Sequence, residues 1–225
     1  MIVPTLSIVI PCLDEAEIIQ KLLESLQSTR GRGVELILVD GGSDDSTVAK
    51  PLVDQLLVTA PGRALQMNAG ARIAKSDLLW FLHADSMVND DFPEAIRTAL
   101  QSSECRWGRF DVTLSGRAPF FRVIEFMMNW RSRLTGIATG DQGIFVQRGL
   151  FEQVGGFPEI PLMEDIRLSA LLRKYAWPIA LRQRLMTSSR RWEQSGILRT
   201  VLLMWRLRLA FYFGVDPKRL AQRYR

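Results

Sequence analysis

His83 and Asp85 stand two residues apart at the end of the apolar run Leu78-Leu79-Trp80-Phe81-Leu82. Mg²⁺ and Mn²⁺ prefer oxygen ligands and are commonly held by one or two carboxylates together with substrate phosphates, so Asp85 alone suffices for a cation carried on a nucleotide diphosphate. Such a cation neutralises charge on a departing diphosphate. His83 is the chain's only histidine; here it reads as a metal ligand, a phosphate donor or a core residue. A second chemical stretch is Asp40-Gly41-Gly42-Ser43-Asp44-Asp45-Ser46-Thr47. Its glycines let backbone approach a ligand, and Asp40 can accept hydrogen bonds from a ribose or a base N–H; the plainer alternative is a solvated turn capped by Ser43 or Asp45. Arg63 opens a helix where it could meet a phosphate, or is a surface arginine, and Asn68 lies further along. Asp165, near the start of a helix over 166–175, is a candidate base or an acidic residue favoured by the helix dipole.

These groups need a scaffold, and the apolar pattern supplies one. Leu6–Ile10, Val34–Val39 and Leu78–Leu82 are apolar or β-branched runs, interrupted by Ser7 and Glu35, of the kind buried on both faces in a parallel sheet, with Leu56–Val58 a shorter strand. Pro11 is expected to stop the first strand, and Asp14 to cap the next helix with Glu17 in capping-box spacing. Ile18, Ile19, Leu22, Leu23 and Leu26 form that helix's apolar face, and Gly31 and Gly33 end it. Strand, helix, strand predicts a right-handed βαβ opening, and ligands of such sheets bind at the carboxyl ends of the strands, where Asp40 and Asp85 fall. Residues 105–114 and 143–146 read as further strands. After Pro119, the stripe Val123, Phe126, Met127, Trp130 and Leu134 reads as core-facing or as a membrane- or acceptor-facing surface, with Arg122, Glu125, Asn129 and Arg133 on another side.

Charge is unevenly placed. The chain of 225 residues carries a formal net charge of +5, but residues 173–225 hold 13 Lys/Arg against 2 Asp/Glu, and residues 1–172 hold 16 against 22. A basic tail suggests substrate phosphates or an anionic membrane surface; no zinc-finger, helix-turn-helix or aromatic RNA-binding signature points to nucleic acid. The segment 197–213 places Leu198, Val201, Leu202, Trp205, Leu209 and Tyr212 in one arc, so it can pack on the domain or lie at a bilayer interface. No uncharged apolar run is long enough to span a membrane, and Pro4, Pro11 and Asp14 interrupt any leader pattern. With Cys12 and Cys105 reading as small buried residues, a cytoplasmic protein is expected, at the inner face of the membrane if the tail binds lipid. The Asp40 loop lacks the GxxxxGK[ST] and GxGxxG patterns, so neither an ATPase nor a dehydrogenase is indicated.

Taken together these segments resemble glycosyltransferase family 2, whose members have the GT-A fold. Ile8-Val9-Ile10-Pro11-Cys12-Leu13-Asp14-Glu15 resembles the family's opening strand, with Asp14 where many members have Asn. Leu38–Thr47 resembles its Val-Asp-Asp-Gly-Ser segment, with Gly41 for the second Asp, and Arg63, Asn68 and Gly70 match the following helix. His83-Ala84-Asp85 takes the place of Asp-x-Asp, as in a short bacterial subgroup. Gly140-Asp141-Gln142-Gly143, Gly155-Gly156-Phe157-Pro158 and Met163-Glu164-Asp165 resemble acceptor-side segments, and Ser188-Ser189-Arg190-Arg191-Trp192 resembles Gln-x-x-Arg-Trp with Ser188 for the Gln, which argues against processive synthesis.

The resemblance implies a Rossmann-like α/β/α sandwich with a mostly parallel sheet, forming one domain over residues 1–225. Residues 1–115 would bind a nucleotide sugar, 116–195 an acceptor, and 196–225 would form a basic helical tail. The implied activity is metal-dependent, inverting transfer of a sugar from a UDP- or GDP-sugar, with Mn²⁺ or Mg²⁺ at Asp85 and His83. Pro11, Asp14, Glu15, Asp40, Gly42, Ser43, Arg63, Asn68, Asp85, Arg190 and Arg191 would serve the donor. Asp141, Gln142, Glu164 and Trp192 would serve the acceptor, and Asp165 would be the catalytic base. Partners expected are the donor, an acceptor that includes lipid-linked molecules, a membrane surface through 196–213, and a second copy of the chain. The rivals are a non-catalytic nucleotide-sugar sensor or scaffold, and a nucleotidyltransferase.

Overall fold

The computed structural model describes residues 5–43, 49–89, 91–101 and 106–224; Asp44–Thr47 and Cys105, with the expectations attached to them, lie outside the described residues. One sheet runs in the order β3-β2-β1-β4-β7-β6-β8-β5. Its strands are β1 (Leu6–Cys12), β2 (Val34–Asp40), β3 (Gln55–Val58), β4 (Leu78–Phe81), β5 (Ser86–Met87), β6 (Trp107–Leu114), β7 (Phe145–Gln147) and β8 (Ile179–Thr187). The helices are α1 (Ala16–Arg30), α2 (Arg63–Ile73), α3 (Phe92–Gln101), α4 (Pro119–Thr135), α5 (Arg148–Gln153) and α6 (Glu164–Leu172), then α7 (Arg190–Ser195), α8 (Ile197–Tyr212) and α9 (Pro217–Tyr224). The first half, β3-β2-β1-β4, is parallel, as the apolar runs predict. In the second half β7 is antiparallel to both β4 and β6, β6 and β8 are parallel, and β5 is antiparallel to β8.

Alternation along the strands builds two cores. Ile8, Ile10, Leu36, Leu38 and Trp80 face a layer with α1 and α3, while Val9, Ile37, Val39, Leu79 and Phe81 face α2, α5 and α6. The small residues of α2 let it lie unusually close to the sheet: a Cβ on Gly70 would sit 2.4 Å from Val9 Cγ1 and 3.0 Å from Val39 Cγ2. Gly70→Ala is therefore expected to destabilise the protein by about 1–3 kcal/mol through overpacking. Denaturant unfolding checks this, and an unchanged midpoint would mean that α2 does not press on the sheet.

Three sequence expectations are corrected. Pro11 does not stop β1, which continues in register with β2 to Cys12. Val9 faces β4, where its carbonyl accepts from Leu82 N–H at 3.1 Å. Pro11, two residues on, faces the same way beyond the end of the β1–β4 ladder, so its missing N–H leaves no bond unmade. Asp14 does not cap α1: it takes a left-handed turn, φ 54°, and Glu15 becomes the boundary residue with no side-chain cap.

The third correction is the orientation of α4. Its apolar stripe points outward, with Val123 54%, Phe126 63%, Trp130 51% and Leu134 57% exposed, and its polar side faces the protein. The cause is hydrogen bonding on β6, which pairs with β7 only at Trp107 and Gly108. Beyond that point α4 side chains replace a strand. Asn129 accepts from Val112 N–H at 2.8 Å and donates to its carbonyl at 3.0 Å. Glu125 accepts from Leu114 N–H at 2.7 Å, and Arg122 donates to Leu114 O at 3.1 Å. Buried backbone groups must be paired, and this need outweighs burial of the apolar stripe.

The tail packs on the domain along one side and is exposed along another. Leu207 and Leu220 are buried against Leu162 and Met163, and Ile197 and Val201 pack on Phe121 and Ile124. Leu198, Leu202, Trp205 and Leu209 are each about 60% exposed or more. Among the described residues no helix is long and apolar enough to cross a membrane.

Candidate active site

A cavity of about 210 Å³ opens at the carboxyl ends of β1 and β4, walled by the start of α6 and by residues of α7, α8 and α9. It opens beside a broader groove of about 790 Å³ that runs over Leu13, Pro61 and the start of α2. Glu15, Asp85, Asp141, Glu164 and Asp165 all line the cavity, with His83 and Arg63 among them. The placement is that expected for parallel strands, whose diverging ends leave a crevice.

The metal motif is held by a glycine. A Cβ on Gly140 would lie 2.2 Å from His83 Cε1 and Nε2, so the imidazole rests directly on backbone that only glycine allows. His83 Nδ1 is 3.4 Å from Asp141 Oδ1. The ring is thus engaged on both sides, by Gly140 and Asp141, and so helps to hold the 3₁₀ turn Gly140–Gln142 against the strand end. Asp165 grips the same turn from the other side: its Oδ2 accepts from Gly140 N–H at 2.7 Å and its Oδ1 from Ile166 N–H at 2.6 Å. His83, Gly140 and Asp165 therefore form one connected unit between β4 and α6.

Electrostatics separate the carboxylates. Burial raises the pKa of Asp85, Asp141 adds to the rise, and His83 and Arg63 oppose it. Burial, then the charge of Asp165, also raises Glu164, against the pull of Arg63, whose Nη1 is 3.6 Å away. For Asp141 burial pushes upward, but the His83 hydrogen bond and charge, helped by Arg63, hold it below the usual value. Its side chain retains 44% exposure, so water screens part of this attraction. Arg63 loses some hydration, yet Glu164, Asp141 and Asp165 hold its pKa above the ordinary arginine value. Among the described residues the two non-glycine residues with positive φ, Asp14 at 54° and Met163 at 68°, immediately precede a cleft carboxylate, Glu15 and Glu164. Sparsely populated backbone of this kind gathers at functional sites.

Glu15 gives a direct test. Burial and then the Asp85 charge raise its pKa, with Arg63, His83 and Arg190 opposing. A carboxyl with a higher pKa folded than unfolded favours the folded state below its unfolded pKa, and that contribution is lost as pH rises through the folded value. Glu15→Gln is expected to raise the unfolding temperature at mildly alkaline pH and to lose this gain below the carboxylate range. Thermal unfolding against pH measures it; a loss of stability at alkaline pH would contradict it.

Of the other expected site residues, Asp141 and Trp192 line the cavity and several do not. Asp40 is fully buried and turned onto its own loop: Oδ1 accepts from Gly42 N–H at 3.1 Å, Ser43 N–H at 2.9 Å and Ser43 Oγ at 2.6 Å, and Oδ2 has no partner among the described residues. Asn68 is removed from the donor set, because both ends of its amide bind the Phe157 backbone, at 2.7 and 2.8 Å. Gln142 is fully buried and accepts from Thr139 N–H at 3.2 Å, so it shapes the 3₁₀ turn rather than meeting an acceptor. Asp141 stands beside His83, on the metal-motif side. Trp192 lines the cavity while packing on the Leu114 cluster. Arg190 is exposed with its charge felt at Glu15, and the side chain of Arg191 lies outside the described residues.

Sequence reasoning missed Gln66 and Thr187. Buried Gln66 donates to Cys12 O at 2.7 Å and Val39 O at 2.8 Å, tying the ends of β1 and β2 to α2. Thr187 closes the floor beside Asp85, its Oγ1 3.5 Å from Oδ1. A polar residue amid the small residues of α2 was the only signal for Gln66, and Thr187 had none.

Among solved structures, the chain is similar to a mannosyltransferase from Pyrobaculum calidifontis in complex with GDP-Man and Mn²⁺, with TM-score 0.64, 21% identity, 93% of this chain and 62% of that one covered. It is also similar to S. aureus TarS 1-349 in complex with UDP-GlcNAc, with TM-score 0.65, 16% identity, and 82% and 58% covered. These likenesses show the fold, that of the GT-A glycosyltransferases. Among curated relatives, an uncharacterized glycosyltransferase of Mycobacterium tuberculosis, Rv1514c, is 30% identical over 146 residues, 60% of this chain and 48% of its own. A PGL/p-HBAD biosynthesis glycosyltransferase of Mycobacterium bovis BCG is 29% identical over 183 residues, 70% of this chain and 64% of its own. The chain thus spans about half to two thirds of the length of these relatives. The model for "Glycosyl transferase family 2" matches residues 7–151, from the first strand through His83-Ala84-Asp85 and the Gly140 turn and on into α5, and the chain belongs to that family.

Proposed function

We propose that the protein is a metal-dependent, inverting glycosyltransferase that uses a UDP- or GDP-sugar and belongs to the short subgroup with His-Ala-Asp at the metal motif. The observation that carries this reading is the meeting in one cavity of Asp85, from the end of β4, and Asp165, from the start of α6, with Arg63 beside them. Asp85 fits a cation ligand: its carboxyl is withdrawn from water, repelled by Asp141, and, among the described residues, bonded to a neighbouring side chain only by the 3.5 Å contact to Thr187. Asp141, facing the same space, is the second carboxylate such an ion would meet. When bound, a divalent cation supplies charge neutralisation for the diphosphate leaving group.

The chain's own residues supply the rest. Asp165 takes the proton from an acceptor hydroxyl as that oxygen attacks the anomeric carbon; the bond from that carbon to the diphosphate oxygen breaks on the opposite face, which inverts the centre. Two of the Asp165 acceptor sites are occupied by Gly140 and Ile166 N–H groups, which fixes the carboxylate and leaves capacity for the proton. Arg63 and Arg190 provide positive charge for the diphosphate, Glu164 steers Arg63, and Trp192 offers an apolar wall for a sugar. Residues 1–115 would serve mainly the donor and 116–195 mainly the acceptor, within one domain.

Incubation with Mn²⁺ and a panel of nucleotide sugars, read by mass spectrometry, tests this. Slow release of nucleoside diphosphate from one donor is expected. Binding without turnover would identify a sensor, a reading favoured by His83 in place of the usual acid, and pyrophosphate release from a triphosphate would identify a nucleotidyltransferase.

A further inference from the structure

After α8 the chain turns back on itself, and local sequence makes the turn. Gly214, at φ 82°, takes the left-handed conformation open to glycine and donates to Phe211 O at 3.0 Å, while Val215 N–H donates to Ala210 O at 3.0 Å. Asp216 then caps α9: its Oδ1 accepts from Lys218 N–H at 2.9 Å, and Pro217 takes the first helical position, where a helix needs no N–H. One face of α9 is apolar. Leu220 is fully buried with Leu162, Met163 and Leu207, and Ala221 beside it and Tyr224, one turn on, pack against the same cluster.

Leu162 and Met163 lead directly into Glu164 and Asp165, so the packing that seats Leu220 brings the end of α9 to the reaction cavity. Tyr224 lines that cavity and also the broader groove beside it. Among the described residues, the border common to the two spaces consists of Pro11, Glu15, Arg63, Leu162, Glu164 and Tyr224. Lys218 lines the groove but not the cavity. The groove's charged groups are Arg63 and Lys218 against Glu15, Glu159 and Glu164. Glu164 already engages Arg63, at 3.6 Å, whereas Lys218 has no carboxylate oxygen within 4.0 Å among the described residues.

A nucleoside diphosphate matches this division of space. With its diphosphate toward Asp85 in the cavity, its nucleoside passes the border at Arg63 and enters the groove, where Leu13, Pro61, Leu65 and Ile160 offer apolar wall. We propose that α9 completes the donor site: Tyr224 covers the diphosphate where it passes Arg63, and Lys218 brings positive charge to the nucleoside side of the groove. The identity of the ligand rests on the transferase reading above, whereas its dependence on α9, which lies past the last family-like segment Ser188–Trp192, does not.

Equilibrium titration of the full chain with UDP and GDP in the presence of Mn²⁺, beside uridine and guanosine, tests this without turnover. Affinity for the diphosphate that the parent binds should fall by about tenfold or more in Tyr224→Ala and by about three- to tenfold in Lys218→Ala. The Lys218→Ala loss should shrink as salt rises, and Tyr224→Phe should fall between the parent and Tyr224→Ala. Arg219→Ala, at an exposed position outside both spaces, should bind as the parent does. The corresponding nucleoside should be much less sensitive to Tyr224→Ala than the diphosphate. In the parent, the nucleotide should slow amide hydrogen exchange over residues 217–224, a readout that needs no variant. A merely structural α9 would instead lower the unfolding temperature of Tyr224→Ala and leave affinity unchanged. The proposal is overturned by parental affinity in Tyr224→Ala or in Lys218→Ala, by equal loss for nucleoside and diphosphate, or by exchange in α9 that is indifferent to the nucleotide. Turnover at the parental donor KM in both variants sinks the role of α9 alone. Binding that depends on α9 with no turnover of any donor sinks the transferase reading alone, and a parent that binds neither UDP nor GDP with Mn²⁺ sinks both.

Discussion

Asp165→Asn is expected to lower sugar-transfer turnover by about 100- to 10,000-fold, the range for loss of a general base, while donor affinity changes only a few fold. The amide matches the carboxylate in shape, and its oxygen can still accept the Gly140 N–H that now lies 2.7 Å from Oδ2. The turn beneath His83 should therefore stay in place, while proton acceptance is removed together with the bond that Oδ1 now accepts from Ile166 N–H at 2.6 Å. Glu164→Gln is the contrasting change: Glu164 is buried and 3.6 Å from Arg63, so its loss should disturb donor binding through Arg63 more than the proton step. Initial rates against donor concentration separate the two. Near-parental turnover in Asp165→Asn would move the base assignment away from this residue.

Asp85→Ala carries the second large expectation. Donor binding should lose its dependence on Mn²⁺, with affinity in the presence of the ion falling by about 100-fold, or roughly 3 kcal/mol. Removal of one of several neighbouring carboxylates also relieves repulsion, so the unfolding temperature of the free protein should not fall. His83→Ala differs in kind. It empties the contact over Gly140 and releases Asp141 from the partner that holds its pKa down, so its effect should be on turnover and on the ordering of the Gly140 turn, with Mn²⁺ affinity changed less than in Asp85→Ala. Equilibrium titration with and without Mn²⁺ decides; Mn²⁺ dependence surviving in Asp85→Ala would contradict the assignment.

The buried parallel half of the sheet was legible because strands buried on both faces must be largely apolar, as β1 and β2 are apart from Ser7, Glu35 and Asp40. The ordering of Asp85 and Asp165 along a family pattern was legible too, since each sits at the end of such an element. What could not be read were choices made by contacts distant in sequence. The α4 periodicity shows an apolar stripe but not which side meets the protein, and the answer came from unpaired backbone of Val112 and Leu114. Asn68 and Phe157 are 89 positions apart, and nothing local marks the amide as a tie between them. Asp14 has the composition of a helix cap, yet the chain must turn left-handed there to bring Glu15 to the cavity, and that geometry displaces the cap. Gly140 stood out in the sequence as part of an acceptor-side segment, but that His83 lies on it could not be read there.

The account stands most directly on the coupling of metal, donor and cavity. With the full chain, Mn²⁺ and the donor selected from the panel, release of nucleoside diphosphate should depend on the ion, vanish in Asp85→Ala, and persist as binding without turnover in Asp165→Asn. Turnover that is indifferent to both substitutions, or no binding of any UDP- or GDP-sugar with Mn²⁺ present, would contradict it.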